Sequence, residues 1–230
     1  MTGGPFMKRL LPALAFLLLL DLSASDYGQL MKQGAAAAKK KDHAQALQKY
    51  AEAYSAAGNT EEKYKSLDEQ ARCLVAMKKT DQLKKLLEPE LRKAEYSAPQ
   101  KQHLLLRLAS PFVWSKNYQY GLDKLNLALS IEGGVGIHSV LYFSLCHHAA
   151  LIYFHKKKEY EPVILLMEPL TLASEYDVNR IVIFSLLGNA YAQLGRKADA
   201  ARNFRQAIKI GKKMKKDTSK LEQQLNRLSE

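Results

Sequence analysis

Apolar residues recur at three- and four-residue spacing from about residue 27 to residue 210, and no stretch alternates apolar with polar residues in the manner of a half-buried strand. The pattern predicts helices throughout. It is sharpest near the C-terminus, where Phe184, Leu187, Gly188 and Tyr191 lie on one helix, Gly195 follows, and Ala200, Phe204 and Ala207 lie on the next. Small residues at Gly188 and Ala200 let two helices approach closely, while Phe184, Tyr191 and Phe204 fill the space around that contact. Gly195 stands where the first helix must end, a position suited to a left-handed cap. The apolar run Ile181 to Leu187 suits a helix packed on both flanks better than a strand.

The same arrangement recurs at the other end of the chain. Gly34 takes the small position, Lys39 to Lys41 lead into a turn, and Ala46, Tyr50 and Ala53 stand at the offsets of Ala200, Phe204 and Ala207. Between the two, Ala71, Ala109 and Leu151 are the equivalents of Gly34 and Gly188, giving successive intervals of 37, 38, 42 and 37 residues. The Leu86-Leu87-Glu88-Pro89 and Leu166-Met167-Glu168-Pro169 stretches place a proline 18 residues after Ala71 and Leu151 alike, a shared helix-disrupting mark. Pro111 falls inside the expected first helix of the third repeat and should kink it, and Gly133-Gly134-Val135-Gly136 forces a loop before the fourth.

The Leu-Gly pair, the aromatic after it, the turn, and the Ala-x-x-x-aromatic segment resemble the tetratricopeptide repeat (TPR), whose period is about 34 residues. The longer intervals here imply longer connecting turns. The resemblance implies an all-α, right-handed superhelical solenoid of about five helical hairpins, at approximately 27–60, 61–97, 98–133, 137–175 and 178–211. The family's proline after the second helix is replaced by Lys212, so a helix can continue there. Leu221, Leu225 and Leu228 at helical spacing mark 212–230 as a capping helix on the exposed end of the stack.

Residues 1–25 stand apart. Lys8 and Arg9 precede an apolar run from Leu10 to Leu20, then come Asp21 and the small residues Ser23, Ala24 and Ser25. That is a secretory leader cut near Ser25, with Met1 or Met7 as its start. The run is about half of the roughly 20 residues a spanning helix needs. The chain is expected to be exported, periplasmic or secreted. Its net charge is +12, and losing Lys8, Arg9 and Asp21 with the leader leaves +11, so the basic character belongs to the folded part. Two cysteines, Cys73 and Cys146, are too few for a disulfide scaffold and read as two buried thiols.

In the TPR family the first helices line a concave surface that receives an extended peptide or a helix. Carried onto this chain, that implies a face bearing Lys65, Asp68 and Arg72 in the second repeat and His103, Ser110 and Trp114 in the third. His148, Ile152 and His155 follow in the fourth, and Ser185, Asn189 and Gln193 in the fifth. From these, Lys65, Arg72, Trp114, His148, His155, Asn189 and Gln193 are the candidate contacts to a protein or peptide partner, since arginine and aromatics dominate binding hot spots. The alternative is that Trp114 packs in the core and the others are merely solvated. Some TPR proteins grip a C-terminal carboxylate with lysines and asparagines; only Asn189 stands suitably here, with Ala35, Ser110 and Ile152 at the equivalent places. Lysine runs at Lys39 to Lys41, Lys78 to Lys79, Lys84 to Lys85, Lys156 to Lys158 and Lys212 to Lys216 fall mostly at turns, as a solvated rim or as a weak attraction to anionic lipid or cell-wall polymer. No nucleic-acid partner is expected of an exported chain. His138, Cys146, His147, His148 and His155 copy no structural zinc spacing, and no nucleophile, base and acid assemble locally, so neither metal, cofactor nor catalysis is expected.

Overall fold

The computed structural model describes residues 26–173 and 177–228. The expected leader lies outside them. Among the described residues all regular structure is helical, and the chain divides into two compact units, Met1–Tyr96 and Ser97–Glu230. No helix among the described residues is long and apolar enough to cross a membrane.

The first unit holds α1 (26–39), α2 (His43–Ala56), α3 (Thr60–Ala76) and α4 (Thr80–Leu91). Local chemistry starts two of these helices: the Asp42 side chain accepts a hydrogen bond from the Gln45 amide, and Asn59 does the same for Glu62. Gly34 allows α1 to lie against α2, because a Cβ placed there would stand 2.6 Å from the Tyr50 ring. Around that contact Ala37, Ala46, Tyr50 and Cys73 form a buried cluster. Pro89 sits in the last turn of α4, and beyond it the backbone tightens to three-residue hydrogen bonds at Arg92 and Lys93.

The second unit begins with α5 (Ala98–Ala109), opened by a reciprocal Ser97/Gln100 capping box. Pro111 has the expected effect, in a particular form. The helix stops at Ala109, passes into a 3-10 turn over Ser110–Phe112, and α6 (Tyr118–Leu129) starts only after a further loop. Next come α7 (Val140–Ile152), extended by a π-helical turn over Tyr153–Lys157, then α8 (Glu161–Met167) and α9 (Leu170–Ala173), parted at Glu168 and Pro169. The unit is completed by α10 (Asp177–Gln193), α11 (Lys197–Lys213) and α12 (Ser219–Asn226). Three nested cross-links make α10 and α11 antiparallel: Lys213 pairs with Asp177 at 3.1 Å, Gly188 faces Phe204, and Arg196 lies 4.4 Å over the Tyr191 ring beside the turn. A Cβ on Gly188 would meet the Phe204 ring at 2.7 Å, repeating the Gly34 contact. The helix α12 turns back where Gly211 admits Thr218, and lays Leu221, Leu225 and Leu228 against the core of this unit.

The spacing of the two clear segments extends through the middle of the chain. Twelve and sixteen residues after Ala71, Ala109 and Leu151 stand Leu83 and Leu87, Gly121 and Leu125, and Val163 and Met167, all buried like Ala46 and Tyr50 or Ala200 and Phe204. Seven residues after Gly34, Ala71, Leu151 and Gly188 stand Lys41, Lys78, Lys158 and Gly195, and all four have a positive φ. At Lys41, Lys78 and Gly195 the turn is a Schellman cap, with the following residue's amide bonded to a carbonyl five residues back. Lys116, at the same offset from Ala109, is not left-handed, because Pro111 has already ended that helix as a 3-10 turn.

Substituting Gly188 with Ala should cost about 1–3 kcal/mol of unfolding free energy, since Phe204 is itself fully buried and cannot yield. Gly28→Ala, with open space around its Cβ, should be neutral or slightly stabilising. Lys78→Gly should add about 0.5 kcal/mol by relieving the left-handed lysine. Urea denaturation followed by circular dichroism checks all three.

Candidate partner-binding site

The structure disperses the sequence-derived contacts into several settings. In the first unit Lys65 and Arg72 point outward from α3, with side chains 57% and 56% exposed, each in a pair with a carboxylate of its own helix: Lys65 with Glu61 at 3.3 Å and Arg72 with Glu69 at 2.7 Å. Exposed pairs of this kind contribute little to stability, so both cations remain available for exchange with an incoming acid.

In the second unit Trp114 is not core: it is 59% exposed. It also lies beyond the end of α5, in the turn that Pro111 initiates, rather than on the face of a first helix. His155 likewise sits in the π-helical turn that closes α7. The two rings meet, with centroids 5.0 Å apart. Lys156 joins them, its ammonium 6.0 Å from the indole centroid and 3.3 Å from the Trp114 carbonyl. Burial, and then the charges of Lys158 and Lys156, hold the His155 pKa below its ordinary value.

The remaining contacts lie on helix faces. His148 is half-buried, its Nδ1 2.7 Å from the Ser144 carbonyl. Asn189 is engaged on both ends of its amide: the nitrogen donates to the Ser185 carbonyl at 2.8 Å, and the oxygen accepts from Gln224 of α12 at 2.8 Å. The capping helix thus occupies the polar end of Asn189. Gln193 is exposed at the end of α10, and Ser185 donates back to the Ile181 carbonyl. Ile152, placed on the inner face by the repeat register, is fully buried.

Two polar assemblies were not anticipated. Glu90 accepts from Tyr54 at 2.8 Å, from Tyr96 at 2.7 Å and from Lys93 at 2.7 Å. Burial pushes its pKa up, but hydrogen bonds from Lys93, Tyr96 and Tyr54 outweigh that and hold it low. This carboxylate stands 19 residues after Ala71, where the other repeats place Ala53, Ala128, Leu170 and Ala207. In the second unit Tyr191 donates to Glu168, and Arg196 stacks on Tyr191 while bonding Asp199, which also takes Arg202. These groups line an open cleft of about 500 Å³. Tyr191 and Glu168 are 23 residues apart in the chain, so no local motif announces their pairing.

The Gly133-to-Gly136 loop is a clasp. The buried Gln102 side chain donates to the Ala128 carbonyl at 3.0 Å and accepts from the Val135 amide at 2.7 Å, with Gly134 pressed against it. Both cysteines are free and buried, and burial raises each thiol to about 11. Among the described residues no three His, Cys, Asp or Glu side chains converge as a metal group. His138 is taken by the Ala173 carbonyl, and His147 stacks on Phe143 at 5.5 Å.

No family model matches the chain, and no curated protein matches it by sequence. Its fold is similar to that of the solved structure titled "Crystal structure of MamA protein", with a TM-score of 0.59 and 17% identity, over 83% of this chain and 94% of that one. With the all-helical architecture, this likeness supports a TPR-like helical repeat fold.

His147 gives this unit a pH response. Burial, with a smaller contribution from His148, lowers its pKa from 6.5 to about 4. The unfolded chain therefore takes up a proton near 6.5 that the folded chain refuses until about 4, so stability falls as pH drops through that window. The loss should reach about 3 kcal/mol by pH 4, and His147→Phe should flatten the difference when urea midpoints are compared at pH 7 and 4.5.

Proposed function

We propose that the chain is an exported, non-catalytic adaptor that holds a protein or peptide partner on the inner faces of a right-handed solenoid of about five hairpins. The TPR-like helical repeat fold carries this reading, because repeated helix pairs bury their apolar faces on one another and leave rows of polar side chains for recognition. The tripartite leader in residues 1–25 supports export. The contacts we assign to the partner are Lys65 and Arg72 in the first unit and His148 and Gln193 in the second. Asn189 joins them when the partner supplants Gln224, which now holds its amide oxygen. Trp114 and His155 keep company with the turn lysines and stand apart from this set.

Crosslinking in intact producing cells, followed by mass spectrometry, identifies the partner. A pull-down with the chain carrying Lys65→Ala, Arg72→Ala and His148→Ala should then recover at least tenfold less of it than wild type does. Unchanged recovery with the triple variant, at unchanged helicity, defeats the reading. Mass spectrometry of the exported protein should find an N-terminus near Asp26.

A further inference from the structure

The turn between α5 and α6 and the turn between α7 and α8 are in direct contact, and their composition is unlike that of the helix faces. The first presents Trp114 and Lys116, both exposed; the second presents His155, Lys156, Lys157 and Lys158. Within 113–117 and 153–160 the only acidic residue is Glu159, which pairs with Lys157 at 3.1 Å. Trp114 is the largest exposed apolar side chain among the described residues, and it does not hang free. The His155 ring lies against it, tilted by 50°, and Lys156 holds both its ring and its carbonyl. Lys158 stands at a left-handed position that the last repeat gives to Gly195, so a cation is kept where glycine is less strained.

We propose that these two turns form a membrane-contacting edge, in which Trp114 enters the headgroup layer of an anionic bilayer while Lys116, Lys156, Lys157 and Lys158 meet its phosphates. An indole is suited to that layer because its apolar body and polar N–H each find a matching environment there. Lysine stems extend along the apolar boundary while the ammonium stays among the phosphates. The residues lie on turns, beyond the helix ends, and a flat anionic surface can reach an indole and several cations there together. A peptide laid along helix faces would meet them only at its margin. An acidic protein segment is the competing occupant, and the test separates it. This edge shares no residue with the helix-face contacts assigned to the partner, so its failure leaves that reading intact.

Trp114 is the sole tryptophan of the chain, so its emission reports on this edge alone. The full chain is titrated with vesicles of phosphatidylcholine containing 30% phosphatidylglycerol (about one lipid in three, enough for a strong negative surface potential). The emission should shift to the blue and be quenched by lipids brominated along the acyl chain. Lys156→Gln and Lys158→Gly should each weaken partitioning about fivefold, the change expected for one cation near an anionic surface. Raising the salt to several times the physiological level should release the protein. Attachment through the apolar run at residues 10–20 would act on neutral vesicles as well, so the pure phosphatidylcholine arm separates it from binding by this edge. An emission unmoved by the anionic vesicles overturns the proposal, as does an equal shift with pure phosphatidylcholine. A shift produced by poly-glutamate but not by vesicles overturns it in favour of an acidic protein segment. Lys158→Gly keeps the variant series interpretable, since it eases the backbone at that turn while removing the charge.

Discussion

The close approach of two helices at a missing side chain is the constraint on which the hairpins depend. At Gly34 against Tyr50, and again at Gly188 against Phe204, the ring occupies the volume where a Cβ would be, and the two helix axes are drawn together around it. The ring is buried in both cases, so the apolar surface removed from water is large for so short a stretch of chain. That close packing also dictates where the intervening turn must fall. With the glycine on one helix opposite an aromatic sixteen residues later, the chain has room for little more than a left-handed residue and a cap between the helices, which is how Lys41 and Gly195 are used.

This dependence explains which parts of the fold were legible in the sequence. Gly34, Tyr50, Gly188 and Phe204 pair a glycine with an aromatic at a repeated spacing, and they read clearly. The middle of the chain solves the same packing problem with aliphatic residues. Leu83 and Leu87, or Val163 and Met167, fill the positions of Ala46 and Tyr50, and a leucine or valine inside a helix carries no signature of its repeat position. In the third repeat the roles are inverted: the small residue is Gly121 on the second helix, a Cβ there would stand 2.8 Å from Phe112, and Pro111 supplies the bend that brings Phe112 to it. The left-handed lysines were illegible for another reason. Lysine has no preference for that conformation, and only the offset of seven residues from Gly34, Ala71 and Leu151, seen once the backbone is known, relates Lys41, Lys78 and Lys158; Lys215, also left-handed, stands outside that series.

The candidate contacts were less legible than the fold, and the cause is the same bend. Extrapolating a straight first helix through Pro111 places Trp114 on a helix face; ending that helix at Ala109 throws it into the turn, where it meets His155 and Lys156 instead. Asn189 lies on α10, and the tertiary partner that engages it, Gln224, is 35 residues away and has no sequence signal. The polar hubs follow a similar logic. Glu90 takes a position that three other repeats give to alanine, and it is tolerated there because Tyr54, Tyr96 and Lys93 each donate to it; Lys93 is a local partner three residues on, but Tyr54 is 36 residues away and no local pattern connects it.

These observations assign different duties to the helix faces and to the turns. Inside the hairpins, the anchor positions Gly34 and Gly188 are held by contacts that an added methyl group would disturb, and substitution there is confined by packing. At the turns the backbone conformation alone is fixed, and glycine would meet it at the lowest cost; Lys41, Lys78 and Lys158 meet it with a charged side chain instead. A lysine beside the C-terminus of a helix recovers part of that cost from the carbonyl ends it faces. The remainder is small against the burial that holds each hairpin, so positive charge can accumulate at successive turns without loosening the core. The turns are thus the part of this architecture most free to be shaped by something outside the protein, and in the second unit they bring an exposed indole together with a cluster of ammonium groups.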